Sequence, residues 1–202
     1  MTAPSHRAAI LAGICATLLG VGLQRFAYSP LLPAMVHQNW LTAAAGGALG
    51  AANFAGYLIG AMLAPSVGRR LGLRPALRLG MAGATICLLL CAIRGPLPWL
   101  LPWRTLAGIA GGILMVLAGA AVQAAAPPRL RGLAGGLLFA GVGLGIMTSA
   151  VIVPALLTSD IAATWLALAT AGLLLTLVSW TLWPHVPPPP LGSTPPLARR
   201  AG

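Results

Sequence analysis

Long apolar stretches, bounded by single arginines, constrain the fold of this chain more than any other feature. Six stretches are long enough to cross a membrane as helices, because a hydrocarbon core of roughly 30 Å requires about 20 apolar residues. Membrane barrel strands would instead be about 10 residues long and would alternate in polarity. The sequence predicts an all-α membrane protein whose six-helix bundle occupies residues 1–183. The predicted spans are about 8–35, 43–64, 75–93, 97–121, 133–156 and 162–183.

The arginines predict the orientation of these helices. The chain has 12 basic residues, all arginine, and one acidic residue, Asp160, so its formal net charge is +11. A nucleic-acid-binding protein of this charge would carry its arginines on one solvated face, whereas here they separate apolar stretches. Positive residues accumulate in cytoplasmic loops, so the pattern predicts that both termini are cytoplasmic. Nine arginines then fall on the cytoplasmic side: Arg7, Arg69, Arg70, Arg74, Arg78, Arg129, Arg131, Arg199 and Arg200.

Polar and aromatic residues mark the ends of the stretches. Residues 39–42 and 158–160 each supply an N-cap candidate, before the second and the sixth stretch. All six tryptophans, including Trp165 and Trp183, lie near predicted ends, as interfacial aromatic residues do. Residues 184–202 contain seven prolines, which predicts a Pro-rich cytoplasmic tail.

Glycines four residues apart occur in three of the stretches. In a membrane, small residues let helices approach closely, and this packing replaces the hydrophobic effect as the basis of association. Static packing is the more common cause of such a pattern, and helices that slide past one another are the alternative. The pairs are Gly46 and Gly50, Gly56 and Gly60, Gly108 and Gly112, Gly132 and Gly136, and Gly141 and Gly145.

Two arginines, Arg25 and Arg104, lie inside predicted helices at comparable depth. An arginine in the hydrocarbon core costs a few kcal/mol or more, so it either faces a cavity or partner or extends towards the headgroups. No acidic residue lies in any stretch, and two unpaired arginines suit an anionic ligand such as a carboxylate or phosphate. Four polar residues fall near the same level: Gln24, Tyr28, Asn53 and Tyr57.

No residue set indicates catalysis, a cofactor or a metal. Cys87 and Cys91 share a helix face, but no histidine or carboxylate accompanies them in that stretch, so we interpret them as packing residues. The histidines fall in loops or tails, and the chain lacks paired carboxylates and phosphate-binding loops. We expect neither an enzyme nor a bound cofactor.

Several segments resemble a known transporter family. Residues 20–33 read Gly-Val-Gly-Leu-Gln-Arg-Phe-Ala-Tyr-Ser-Pro-Leu-Leu-Pro, and the second stretch carries Asn53, Gly56, Tyr57 and Gly60. These residues are similar to the major facilitator superfamily (MFS), and more narrowly to its uncharacterised bacterial YbfB/YjiJ-type branch. Because family members have twelve helices, the resemblance implies the N-terminal half of that fold. This half consists of two inverted three-helix repeats in the bacterial inner membrane.

The resemblance extends to a loop and to the fourth stretch. The family's gating loop reads Gly-x-x-x-Asp-Arg-x-Gly-x-Arg, and here Arg70, Gly72 and Arg74 match it. Arg69 stands in place of the aspartate that helps to latch the cytoplasmic gate. The fourth stretch keeps the family's Arg-x-x-x-Gly as residues 104–108, which implies that its arginine lines the central cavity.

The resemblance implies a secondary transporter of a small solute, an organic anion in our interpretation, that works by alternating access. Besides the lipid bilayer and the solute, a six-helix chain would need a parallel homodimer partner or a complementary half; nucleic acid is not expected. The alternatives are an inactive transporter fragment and a non-transporting scaffold or accessory subunit. The proposed substrate-binding residues are Arg25, Arg104, Asn53, Tyr57, Gln24 and Tyr28.

Overall fold

The computed structural model describes residues 6–157 and 160–184, which form a bundle of helices. Six helices in this part of the chain are long and apolar enough to span a membrane, which confirms the predicted fold class. The first span, His6–His37, consists of α1 (His6–Thr17), a π-helix (Leu18–Phe26) and α2 (Tyr28–His37). The other spans are α3 (Ala43–Leu71), α4 (Leu73–Cys91), α5 (Leu97–Ala125), α6 (Arg131–Leu156) and α7 (Ile161–Ser179).

Several helices differ in length from the predicted spans. The helix α3 continues past Ala64 and through Pro65 to Leu71, because its last turns keep their hydrogen bonds beyond the apolar stretch. It ends at Gly72, whose φ of 83° lies in the left-handed region that favours glycine. Conversely, α7 ends at Ser179, short of the predicted end. Hydropathy therefore locates the spans but not the turns that extend into the headgroup region.

The first span contains a π-helix that the sequence analysis did not predict. Leu18–Phe26 forms i→i+5 hydrogen bonds, which widen the helix and are frequent at functional sites. Two of its glycines lie against other helices: Gly20 against α5 and Gly22 against Gly145 of α6. The π-helix also carries Gln24 and Arg25, so this irregular segment presents two of the proposed site residues.

Glycines bring α3 and α5 into direct backbone contact. A Cβ on Gly56 or Gly60 would overlap the backbone of α5. Conversely, a Cβ on Gly108 or Gly112 would overlap the backbone of α3. The four glycines thus form one continuous contact, as expected for helix association through small residues. The static packing interpretation explains these pairs without sliding helices.

The glycine pairs of α6 differ in whether they contact another helix. Gly141 and Gly145 of α6 lie against the backbone of the first span. At the start of α6, a Cβ added to Gly132 or Gly136 would have no atom within 4 Å, so their spacing carries no packing contact in the described chain. The four-residue spacing alone therefore overstates how many glycines support the bundle.

Side-chain caps begin two of the helices. The Thr42 side chain accepts a hydrogen bond from the Ala45 N–H at 3.2 Å, and Asp160 accepts one from the Ala163 N–H at 3.3 Å. These residues confirm the N-cap candidates in both segments, although residues 158 and 159 lie outside the described residues. The predicted tail, apart from Pro184, also lies outside them.

Candidate functional site

Arg25 and Arg104 line one small cavity of about 80 Å³ between the first span, α3 and α5. Tyr28 and Asn53 also line it, so the structure brings four of the six proposed site residues to one place. The other two, Gln24 and Tyr57, do not line the cavity, but each contacts one of the two arginines. The binding role of all six stays a prediction.

Arg104 is held by groups of its own bundle. Its side chain is only 2% exposed, and Nη1 donates to the backbone carbonyl of Gln24 at 3.0 Å. The guanidinium carbon lies 4.4 Å from the Tyr28 ring centroid and 5.8 Å from that of Trp165. Within the described residues it forms no ion pair, and its Nε has no hydrogen-bond partner. Aromatic faces and one carbonyl thus stabilise this buried charge.

The polar neighbours of Arg104 connect helices. The Asn53 side chain of α3 donates to the Arg104 carbonyl of α5 at 2.9 Å. The Tyr28 hydroxyl donates to the Gly46 carbonyl at 2.9 Å, and the Gln24 side-chain amide donates to the Ala84 carbonyl of α4. Each of these donors is therefore engaged with the backbone of a neighbouring helix.

Arg25 differs from Arg104 in its burial and in its hydrogen bonds. Its side chain is half-buried, and its guanidinium carbon lies 3.7 Å above the Phe54 ring and 5.1 Å from the Tyr57 ring centroid. The guanidinium N–H groups have no hydrogen-bond partner in residues 6–157 and 160–184. Stacking uses the face of the guanidinium and leaves its edge available, and the edge is the part that binds a carboxylate or phosphate.

Two aromatic residues at this site were missed by sequence reasoning. Phe54, which is 55% exposed, stacks on Arg25, and the 1% exposed Trp165 closes one side of the Arg104 pocket. The spacing of Phe54 and Tyr57, three residues apart on one helix, offered a signal for a shared face. Trp165 offered none, because its position near a span end is equally typical of an interfacial residue.

The residues of the expected gating motif lie where α3 ends and α4 begins, with Arg70 in the last turn of α3, Gly72 between the helices and Arg74 in the first turn of α4. Gly72 provides the positive φ that lets α4 begin directly after α3. Arg69, at the motif's aspartate position, donates from Nη2 to Ser66 Oγ at 3.1 Å. Arg70 is exposed, whereas the Nε of Arg74 is buried without a hydrogen-bond partner. No carboxylate is available to these arginines, since the chain's single acidic residue caps α7.

One family of known proteins matches most of this chain. Residues 17–200 match the model of the family described as "Uncharacterised MFS-type transporter YbfB". No curated protein matches the chain.

Solved structures share the fold. The MFS proton:xylose symporter XylE bound to 6-bromo-6-deoxy-D-glucose has a TM-score of 0.77 and 17% identity, over 89% of this chain and 45% of that chain. The inward-open xylose transporter XylE from E. coli has a TM-score of 0.69 and 19% identity, over 90% and 48% respectively. A D-xylose-proton symporter gives 0.68 and 18%, over 89% and 48%. The chain therefore spans about half the length of these proteins.

Proposed function

Because this chain belongs to the uncharacterised YbfB-type family of MFS transporters, we propose that it forms one six-helix half of a transporter for a small anionic solute. It would act by alternating access in the bacterial inner membrane, with both termini cytoplasmic. The observation that carries the anion assignment is Arg25, a half-buried cation at the cavity whose N–H groups have no partner in the described part of the chain. No carboxylate in any span competes for this charge.

The residues around Arg25 favour recognition by charge and shape. Phe54 and Tyr57 contact the guanidinium through their ring faces, which leaves its fork-like N–H edge available. Hydrogen bonds between a guanidinium and a carboxylate or phosphate are charge-assisted and two can form in parallel. Arg104 adds positive potential at the cavity, while its Nη1 donates to the Gln24 carbonyl.

A second six-helix unit would complete the transport path. The relatives of known structure are about twice as long as the matched region, and in such folds the site lies between two repeats. A parallel homodimer or a complementary half would supply the other wall. The backbone contact between α3 and α5 supports movement of this unit as one body. Arg70, Gly72 and Arg74 would lie at its gate, where Arg69 removes the carboxylate latch.

Uptake into proteoliposomes tests this proposal. The purified chain is reconstituted and offered labelled mono- and dicarboxylates, organic phosphates and neutral sugars, with and without a pH gradient. We expect uptake of an anion, which Arg25→Gln lowers roughly tenfold to hundredfold, because a hydrogen bond to a charged group contributes about 1.5–3 kcal/mol. Arg94→Gln is the matched control, since Arg94 donates to the Asn39 carbonyl in a loop and does not line the cavity at Arg25.

Three results would oppose different parts of the proposal. Uptake of a neutral sugar that Arg25→Gln leaves unchanged would refute the anion site and keep the transporter. The absence of uptake for every solute, in a preparation that cross-linking shows to be dimeric, would favour the inactive fragment or the scaffold. Cross-linking that gave only monomer would refute the homodimer.

A further inference from the structure

A second cavity lies on a different face of the bundle, between α4 and α7. Its volume is about 480 Å³. Its walls include Ala82, Thr85 and Ile86 of α4, Leu173 and Leu177 of α7, and Trp180, which directly follows α7. The cavity is a groove open along one side, and we call it the α4/α7 groove. It shares no lining residue with the cavity at Arg25.

Three threonines line this groove, Thr85, Thr176 and Thr181, and the first two bond to each other. Thr85 and Thr176 share a hydrogen bond of 3.1 Å across it, and the Thr176 hydroxyl also lies 2.7 Å from the Gly172 carbonyl. The remaining wall is almost entirely aliphatic and aromatic. An apolar occupant therefore fits the groove, because the hydroxyls of Thr85 and Thr176 would keep their hydrogen bonds beside it.

One end of the groove is cationic. Arg78 lies one helical turn before Ala82, its Nε donates to the Trp180 carbonyl at 2.7 Å, and its guanidinium carbon lies 4.9 Å from the Trp180 ring centroid. The terminal Nη groups of Arg78 have no hydrogen-bond partner in the described residues. Arg74 lies one further turn back on the same helix, so two cations share this end.

No acidic side chain neutralises that end. The only one in the sequence, Asp160, caps the opposite end of α7, about 30 Å from Trp180 at 1.5 Å per residue. The distance from Arg78 to Ile86 along α4 is about 12 Å by the same rise, which fits within one leaflet of a core of roughly 30 Å. An apolar groove within one leaflet that ends at two cations without a carboxylate partner matches the shape and charge of one lipid class.

We propose that the α4/α7 groove binds an anionic phospholipid, with one acyl chain along the groove and the phosphate at Arg78 and Arg74. Basic pockets between transmembrane helices bind such headgroups, and each arginine near the surface contributes roughly a fivefold preference for an anionic lipid. The occupant is a membrane lipid and not a free phosphate, because the groove continues from the cationic end along the apolar surface. This groove is separate from the cavity at Arg25.

Native mass spectrometry of the detergent-solubilised chain tests the site. The protein is mixed with equal amounts of phosphatidylglycerol and phosphatidylcholine that carry identical acyl chains. Wild type retains more phosphatidylglycerol, and Arg78→Gln lowers the ratio of the two bound lipids roughly fivefold. Arg78→Lys keeps the charge and therefore the preference, although it loses the hydrogen bond from Nε. Arg94→Gln, at a different loop, leaves the ratio unchanged.

A second variant tests the groove separately from the charge. Ala82→Phe fills the groove and keeps Arg78, so it lowers retention of phosphatidylglycerol as well. Three results overturn the proposal: an unchanged lipid ratio in Arg78→Gln, unchanged retention in Ala82→Phe, or displacement of the lipid by millimolar glycerol phosphate. The last two results would assign the cationic end to a phosphate without an acyl chain. If Arg78→Gln does not fold, Arg74→Gln and Ala82→Phe give the same decision.

Discussion

Arg25 and Arg104 line the same small cavity, yet the protein surrounds them in opposite ways. Arg104 is almost completely buried, donates to a backbone carbonyl and lies against two aromatic rings. Arg25 is half-buried, stacks on Phe54 and makes no hydrogen bond through its guanidinium within the described residues. One cation is thus stabilised by the bundle itself, whereas the other keeps its donors available.

Because of this contrast, we expect removal of the two arginines to have different consequences. A buried charge is costly unless nearby dipoles and π-faces compensate for desolvation, and Arg104 has both. Its removal should therefore affect folding first. Arg25 lacks such hydrogen bonds, so its removal should affect ligand binding and leave folding nearly unchanged. Substitutions at the two arginines and at the residues beside them separate these two effects.

The largest expected effect comes from the backbone contact beside Arg104. Gly56→Val places side-chain atoms against the backbone of α5, which cannot move aside, so we expect destabilisation of about 3 kcal/mol or more. Gly47→Val on the same helix is the control, because no atom lies within 4 Å of its Cβ position. Thermal unfolding in detergent measures both variants, and equal unfolding temperatures would show that this contact does not support the bundle.

Arg104→Ala should be the next largest change. It removes a long buried side chain, leaves a cavity beside Tyr28 and Trp165, and leaves the Gln24 carbonyl without its donor. Together these losses predict destabilisation of about 2–4 kcal/mol. Arg25→Ala should cost about 0.5–1 kcal/mol, the contribution of an exposed cation–π contact. If Arg25→Ala unfolded as easily as Arg104→Ala, the proposed contrast would be wrong.

Phe54→Leu should have the smallest effect. Leucine keeps an apolar side chain on α3 but loses the π-face 3.7 Å from the Arg25 guanidinium carbon. The lost cation–π contact contributes about 0.5–1 kcal/mol to the orientation of Arg25. Its loss predicts a two- to fivefold rise in the solute concentration for half-maximal uptake. Leu58→Ala, a change at another exposed residue of α3, is the control. An unchanged concentration for Phe54→Leu would mean that stacking does not orient Arg25.

Much of the fold follows from local sequence signals. Apolar length predicts six spans, Thr42 and Asp160 have the side chains that cap helices, and four-residue glycine spacing predicts closely packed helices, of which α3 and α5 are one pair. Each signal depends on residues that are close in the chain or on a property of one helix. These properties do not require knowledge of which helices are neighbours.

The candidate site was less predictable than the fold, because it depends on which side chains of different helices come into contact. Depth along the helix placed Arg25 and Arg104 at one level, but nothing in the sequence distinguished the buried guanidinium from the accessible one. That difference depends on side chains of other helices: Phe54 of α3 contacts Arg25, and Trp165 of α7 approaches Arg104 from a distant part of the chain. The same limitation applies to Trp183, which lies near a helix end but is buried inside the protein.

Ligand-induced stabilisation tests whether Arg25 binds the anion without supporting the bundle. The unfolding temperatures of wild type and Arg25→Gln are measured alone and with mono- and dicarboxylates at increasing concentration. The account predicts nearly equal temperatures without ligand. A bound anion at about 100 times its Kd should stabilise wild type by about 2.7 kcal/mol and Arg25→Gln far less. An equal ligand-induced shift in Arg25→Gln would contradict the account.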